Sequence, residues 1–133
     1  MATYSWNPDR GQLKPLQILL SVPADFTGDN RAAEIAISPS GHNVYVSNRG
    51  HDSIGHFSVS PTSGLLTPVE WGTTKGKGPR FFALDPAAQH LYAANELTDT
   101  IVDFAVHDKT GRLSSANQVL ETGSPVCITF VEL

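Results

Sequence analysis

The chain has 133 residues, 40% hydrophobic and 17% charged, a balance that suits one folded domain rather than a disordered segment. Its 13 acidic and 9 Lys/Arg residues leave a net charge of -4 with no basic run, which argues against nucleic acid and against an anionic membrane surface as partners. No apolar run approaches the roughly 20 residues that span a bilayer, residues 1–6 lack the basic-then-apolar order of a secretory leader, and the single Cys127 excludes an internal disulfide and a multi-cysteine metal site, so the expected location is cytoplasmic.

The 11 glycines and 9 prolines are spread along the whole chain, as short strands separated by turns require, and the fold class read from this is all-β. In chain order, residues 1–24 read as two outer strands around the turn Asn7-Pro8-Asp9-Arg10-Gly11. A four-stranded unit over 33–75 follows, with strands predicted at 35–37, 43–47, 53–58 and 66–71. Its turns are Ser38-Pro39-Ser40-Gly41 and Pro61-Thr62-Ser63-Gly64, and a Gly-rich stretch runs over 72–78. A second such unit covers 80–122, and residues 125–133 read as the first strand of another, with Cys127 expected to be a small buried hydrophobe.

The two units are a repeat. A shift of 47 residues lays Ala36 on Ala83, Pro39 on Pro86, Tyr45 on Tyr92, Asn48 on Asn95, Asp52 on Asp99, Ile54 on Ile101, Phe57 on Phe104, Gly64 on Gly111 and Leu66 on Leu113, with no gap. Four strands per repeat of this length is the spacing of β-propeller blades. The chain therefore reads as a partial β-propeller: two complete blades, the outer strands of a preceding blade and the first strand of a following one. Phe57 and Phe104 are expected to pack between blades, and Asn48 and Asn95 to bond backbone in a turn. Seven such units would take about 330 residues. Either the sequence is the C-terminal part of a longer protein, or copies associate through open blade edges that carry unpaired backbone groups.

In a propeller the loops leading into each first strand and those joining second to third strands open on one face around a central channel. Packing positions repeat from blade to blade, whereas functional positions need not. Four polar residues on that face belong to one blade only: Glu34, replaced by Phe81 in the other unit; Arg49, replaced by Glu96; His51, replaced by Thr98; and Arg80, replaced by Ala33. They form the candidate site. A plain structural role stands beside three of them: Glu34 pairing with an arginine across the channel, Arg49 bracing its loop through Asp52, and His51 merely solvated. Lys75 and Lys77 flank glycines without the order of a phosphate loop and read as a solvated loop. The carboxylate and histidine spacing matches no metal-ligand pattern, so no metal and no cofactor is expected.

The strings Ala33-Glu34-Ile35, Tyr45-Val46-Ser47-Asn48-Arg49, Gly50-His51-Asp52-Ser53-Ile54, Pro79-Arg80-Phe81-Phe82 and Ser124-Pro125-Val126-Cys127 resemble the seven-bladed propeller lactonases. That family includes propeller-type 6-phosphogluconolactonases and carboxy-cis,cis-muconate lactonising enzymes, and the likeness is to its C-terminal portion. The resemblance implies a small-molecule lactone as substrate, with ring opening by hydrolysis or closure by cyclisation. It places Glu34 and Arg80 at motif positions facing the channel mouth. Glu34 or His51 is then the candidate base, and Arg80 and Arg49 the candidates for holding an anionic group or the developing oxyanion. A non-catalytic propeller that serves as an interaction module is the alternative. With blades missing, little activity is expected of this chain alone.

Overall fold

The computed structural model describes residues 1–131, with the backbone alone over 115–119. Ten strands follow one another with no helix among the described residues: β1 (Ala2–Asn7), β2 (Gln12–Ile18), β3 (Arg31–Ile37), β4 (Asn43–Arg49), β5 (Ser53–Val59), β6 (Leu66–Thr73), β7 (Pro79–Leu84), β8 (His90–Asn95), β9 (Thr100–Val106) and β10 (Leu113–Glu121). They pair, all antiparallel, into a hairpin β1-β2 and two four-stranded meanders, β3-β4-β5-β6 and β7-β8-β9-β10. The two meanders are the two repeats, and each is a propeller blade.

The blades meet most closely at their first strands, where β7 lies against β3 and β4, while the outermost strands β6 and β10 touch less. Such a fan puts β3 and β7 next to the axis. Between the blades lies one apolar cluster: Tyr45 and Ile54 from the first, and Phe82, Leu91, Ala93, Val102 and Phe104 from the second. A second cluster joins Val44, Val46, Phe57 and Leu66 of the first full blade to Met1 and Leu19 beside the N-terminal hairpin. Phe57 and Phe104 therefore occupy the same station in successive interfaces, both essentially without exposure. Truncating either to alanine costs about 3–5 kcal/mol, since a close-packed core cannot refill the space.

Polar ties repeat with the same register. The Gln17 side chain accepts from the Leu66 N–H at 2.9 Å and donates to the Leu66 carbonyl at 3.0 Å. At the next interface Glu70 Oε1 accepts from the Leu113 N–H at 2.7 Å, and Arg112 pairs with Glu70 Oε2 at 2.7 Å. A carboxylate cannot donate as an amide does, and the arginine gives it a second partner instead. Asn48 Nδ2 donates to the Ser21 carbonyl and Asn95 Nδ2 to the Thr74 carbonyl, each amide fastening the segment that leads into its own blade.

Two expectations about the strands are corrected. β3 begins at Arg31 rather than at residue 35, and β7 begins at Pro79. Glu34 and Arg80 thus lie on strands and not on the preceding loops. Both strands carry a β-bulge at this point, between Ala32 and Ile35 in β3 and between Pro79 and Phe81 in β7, and the irregular pairing hides the strand start from a search for alternation. Residues 125–131 form no strand. Even so, their start is tied as the start of a blade: Thr122 N–H donates to the Asp99 carbonyl and Ser124 N–H to Asp99 Oδ1, as Thr74 and Gly78 donate to Asp52. Phe130 lies 5.7 Å, centroid to centroid, from the Tyr92 ring. Cys127 is exposed, not buried, because among the described residues its segment enters no sheet.

Candidate functional site

The loops on the lead-in face are held by one repeated device. Asp52 and Asp99 end the turn after the second strand with φ of 53° and 56°, in the left-handed region that short polar side chains tolerate. From there Asp52 Oδ1 accepts from the N–H groups of Gly50 at 3.2 Å and of Gly78 at 2.9 Å. The Glu96 N–H donates to the Gly78 carbonyl, and the Leu97 N–H to that of Lys77. The β4–β5 and β8–β9 loops and the segment leading into β7 are thereby locked together. Asp52 is spent on backbone and pairs with no arginine among the described residues, so the bracing of Arg49 through Asp52 is not what holds this loop.

On the inner strands the bulges decide where side chains point. Arg80 is the extra residue of the β7 bulge, because Pro79 faces Asn95 and Phe81 faces Ala94. Its neighbours Pro79 and Phe82 are buried, whereas Arg80 is exposed and makes no ion pair among the described residues. Glu34 sits in the β3 bulge, half-buried. Its N–H donates to Ser47 Oγ at 2.9 Å, and its Oε1 accepts from the Ile35 N–H at 3.0 Å, which orients the carboxylate and leaves Oε2 without a protein partner among the described residues. A bulge next to a functional face is a common means of re-aiming a side chain.

His51 is placed differently. Its Nδ1 is hydrogen-bonded to Ser53 Oγ at 2.7 Å, its backbone N–H donates to Asn30 Oδ1, and its ring packs edge-on against Phe26 with centroids 4.8 Å apart. Its ring is engaged with its own loop rather than with Glu34 or Arg80. Arg49 ends β4 half-buried, with a buried Nε that has no hydrogen-bond partner. It lines a cleft of about 390 Å³ between the two blades, whose walls also carry Asp29, Arg31, Asp52, Lys77, Glu96 and Leu97. Of the four residues singled out from the sequence, only Arg49 is on this cleft, and Glu34 and Arg80 lie in the bulges of adjacent inner strands, one residue out of register with each other. Arg31 and Lys77 were not singled out. Arg31 lies ahead of the region where the repeat is strongest, and Lys77 looks like any lysine in a Gly-rich loop. Only the pairing of Arg31 opposite Arg49 in the β3–β4 ladder brings the first of them to the cleft.

The comparisons agree with this architecture. Residues 1–130 match the family described as "Lactonase, 7-bladed beta-propeller". A 6-phosphogluconolactonase of Bacillus subtilis (strain 168) is 39% identical over 126 residues, covering 95% of this chain and 36% of that protein. Among solved structures, a Lactobacillus plantarum protein superposes with a TM-score of 0.94 at 35% identity, covering 98% of this chain and 38% of its own. The periplasmic gluconolactonase PpgL of Pseudomonas aeruginosa superposes at 0.92 with 32% identity, covering 98% and 36%. The chain thus spans little more than a third of the length of these relatives, and over that span it belongs to the seven-bladed β-propeller lactonase family.

Proposed function

We propose that these blades supply part of the active face of a hydrolase that opens a sugar-acid lactone, such as 6-phosphogluconolactone, with Glu34 as general base and Arg80 as the cation at the reacting carbonyl. The reading rests on one observation: two adjacent inner strands bulge at the same place, and the bulges carry, one residue out of register with each other, a carboxylate and a guanidinium that other copies of the repeat lack. Relatives named 6-phosphogluconolactonase and gluconolactonase support the substrate class.

In this reaction Glu34 takes a proton from a water molecule as the water oxygen forms a bond to the ring carbonyl carbon. Negative charge gathers on the former carbonyl oxygen, where Arg80 stabilises it. Collapse of that intermediate breaks the bond to the ring oxygen, which leaves as a hydroxyl by taking the proton that Glu34 removed from the water, so that Glu34 is again a carboxylate and the product is the open hydroxy acid. A guanidinium serves here because it stays charged and presents a fork of donors to a planar or developing anion. The Glu34 carboxylate is held by the Ile35 N–H through one oxygen and keeps the other for the water.

The rest of the wall around the channel belongs, on this reading, to further blades, and the 133-residue chain alone turns over lactone poorly. The test is an assay of sugar-acid lactone hydrolysis by this chain extended with the remaining blades of the Bacillus subtilis relative. Turnover of roughly 1–10³ s⁻¹ that falls sharply in Arg80→Ala and Glu34→Gln supports the reading. Full activity in both variants of a correctly folded protein overturns it.

A further inference from the structure

We propose that Ser47 is a positioning residue for the Glu34 carboxylate: its buried hydroxyl takes the Glu34 N–H out of the β3–β4 ladder and holds open the bulge that carries the carboxylate. The inference rests on the reading of Glu34 as general base and states how the fold aims it.

The two blades provide a comparison within one molecule. In β7 the ladder closes directly after Arg80, since Pro79 pairs with Asn95, Phe81 with Ala94 and Phe82 with Ala93. In β3 it stays open for two residues. Ala32 pairs with Asn48 and Ile35 with Val46, so Ala33 and Glu34 together stand against Ser47 alone. The register that equates the blades lays Ser47 on Ala94 and Glu34 on Phe81. Alanine offers no side-chain acceptor, and in that blade Phe81 keeps its place opposite Ala94. The serine, the wider opening and the carboxylate thus occur together, in one blade and not in the other.

The hydroxyl stands in for a ladder carbonyl. The Glu34 N–H donates to Ser47 Oγ at 2.9 Å, and the Ser47 side chain has no other hydrogen-bond partner among the described residues. Ser47 is fully buried, so water does not compete for this bond, and a backbone N–H deprived of its acceptor there is costly. The serine is itself fixed in the β4–β5 ladder, opposite the fully buried Ile54. A second hold acts on the side chain, where Glu34 Oε1 accepts from the Ile35 N–H at 3.0 Å. One bond fixes the backbone of residue 34 and the other fixes one carboxylate oxygen. A base gains from such placement, because a carboxylate that swings among rotamers spends only part of its time within reach of the attacking water.

Two measurements test this. Amide hydrogen exchange in the 133-residue chain reads the hold itself. Ser47→Ala should speed exchange at the Glu34 amide by at least about fivefold and leave the amides of the β4–β5 ladder unchanged. Steady-state kinetics read the consequence, in this chain extended with the remaining blades of the Bacillus subtilis relative. There Ser47→Ala should lower kcat for a sugar-acid lactone by about 10–100-fold, with KM within about twofold of the parent. The same change made on top of Glu34→Gln should cost nothing further, because a residue that acts through Glu34 then has no base to position. An unchanged Glu34 amide, an unchanged kcat, or a loss that repeats in full in the Glu34→Gln background overturns the proposal, the last being what plain packing damage produces. If Ser47→Ala is fully active while Glu34→Gln is not, the role of Ser47 falls and Glu34 remains the base. If Glu34→Gln is fully active, the base reading falls and takes the role of Ser47 with it.

Discussion

Tyr45, on β4 of the first full blade, donates a 2.7 Å hydrogen bond from its Oη to the carbonyl of Gly111, in the β9–β10 turn of the next blade. The ring is fully buried in the inter-blade cluster, and the hydroxyl crosses the interface to meet a turn carbonyl. Tyr45→Phe keeps the packing and removes only the bond, so unfolding in urea should show a loss of about 1–2 kcal/mol, the cost of one hydrogen bond and an orphaned acceptor. Burial, with the charge of Glu70 adding to it, pushes Tyr45 from 10.0 up to about 12. A raised folded pKa means that this contribution is intact below pH 10 and is lost as the pH climbs through about 12. The alkaline limb of the stability curve should flatten in Tyr45→Phe; an unchanged limb would show that Tyr45 does not govern it.

Gly64 and Gly111 hold the same station in the two blades, with φ of 69° and 68°. A methyl group on Gly64 meets nothing within 4 Å, whereas one on Gly111 would overlap the Asn43 side chain, which itself bonds His56. Gly64→Ala should therefore cost only the strain of a left-handed residue, about 1 kcal/mol. Gly111→Ala should cost a further 1–3 kcal/mol or so through overpacking at the interface. Equal melting temperatures for the two variants would contradict this geometry.

His56 lies between those groups. It is fully buried, stacked on Tyr45 at 5.1 Å, and bonded through Nε2 to Asn43 Oδ1 at 2.8 Å. Its Nδ1 has no hydrogen-bond partner and stands 3.8 Å from Glu70 Oε1. Burial lowers its pKa below 6.5, and the Arg112 charge adds to this; Glu70 opposes but does not outweigh them, because its carboxylate is shared with Arg112 and the Leu113 N–H. A depressed histidine favours the folded state above pH 6.5 and withdraws that support as the pH falls below it. The chain should lose stability on acidification from that point, and His56→Gln should reduce the slope. Denaturant midpoints across this range decide the matter, and an identical acid slope in the variant would count against His56.

Much of this architecture was readable before any coordinates because it is repetitive. A packing solution used twice leaves two copies of Tyr, Asn, Asp, Phe and Gly at one spacing, and the all-β blades, the inter-blade aromatics and the amide ties follow from them. The departures come where side-chain alternation fails. A bulge carries one residue more than its partner strand, so Glu34 and Arg80 looked like loop residues. The cleft was less visible still. Arg31 and Arg49 are 18 positions apart in sequence and become neighbours only through strand register. Lys77 owes its place to the lock between its carbonyl and the Leu97 N–H. His51 shows the converse, for a residue unique to one blade can be unique in serving its own loop.

The roles proposed for Glu34 and His51 are separable by kinetics. Both are ionisable, and each lies near the lead-in face of the first full blade. His51, however, spends Nδ1 on Ser53 and packs its ring against Phe26, whereas Glu34 keeps one carboxylate oxygen unpartnered among the described residues. In the seven-bladed chimera, Glu34→Gln should lower kcat for a sugar-acid lactone by about 10²–10⁴-fold with little change in KM, the signature of a lost general base. His51→Ala should instead lower the melting temperature, by loosening Phe26 and Ser53, and leave kcat within a few-fold of the parent. Arg80→Ala should depress kcat and raise KM together if it contacts both the bound carbonyl and the oxyanion, and Arg10→Ala, on the turn between β1 and β2, should do neither. A large kcat loss in His51→Ala with full activity in Glu34→Gln would move the base to the histidine and require its ring to leave Phe26 when substrate binds.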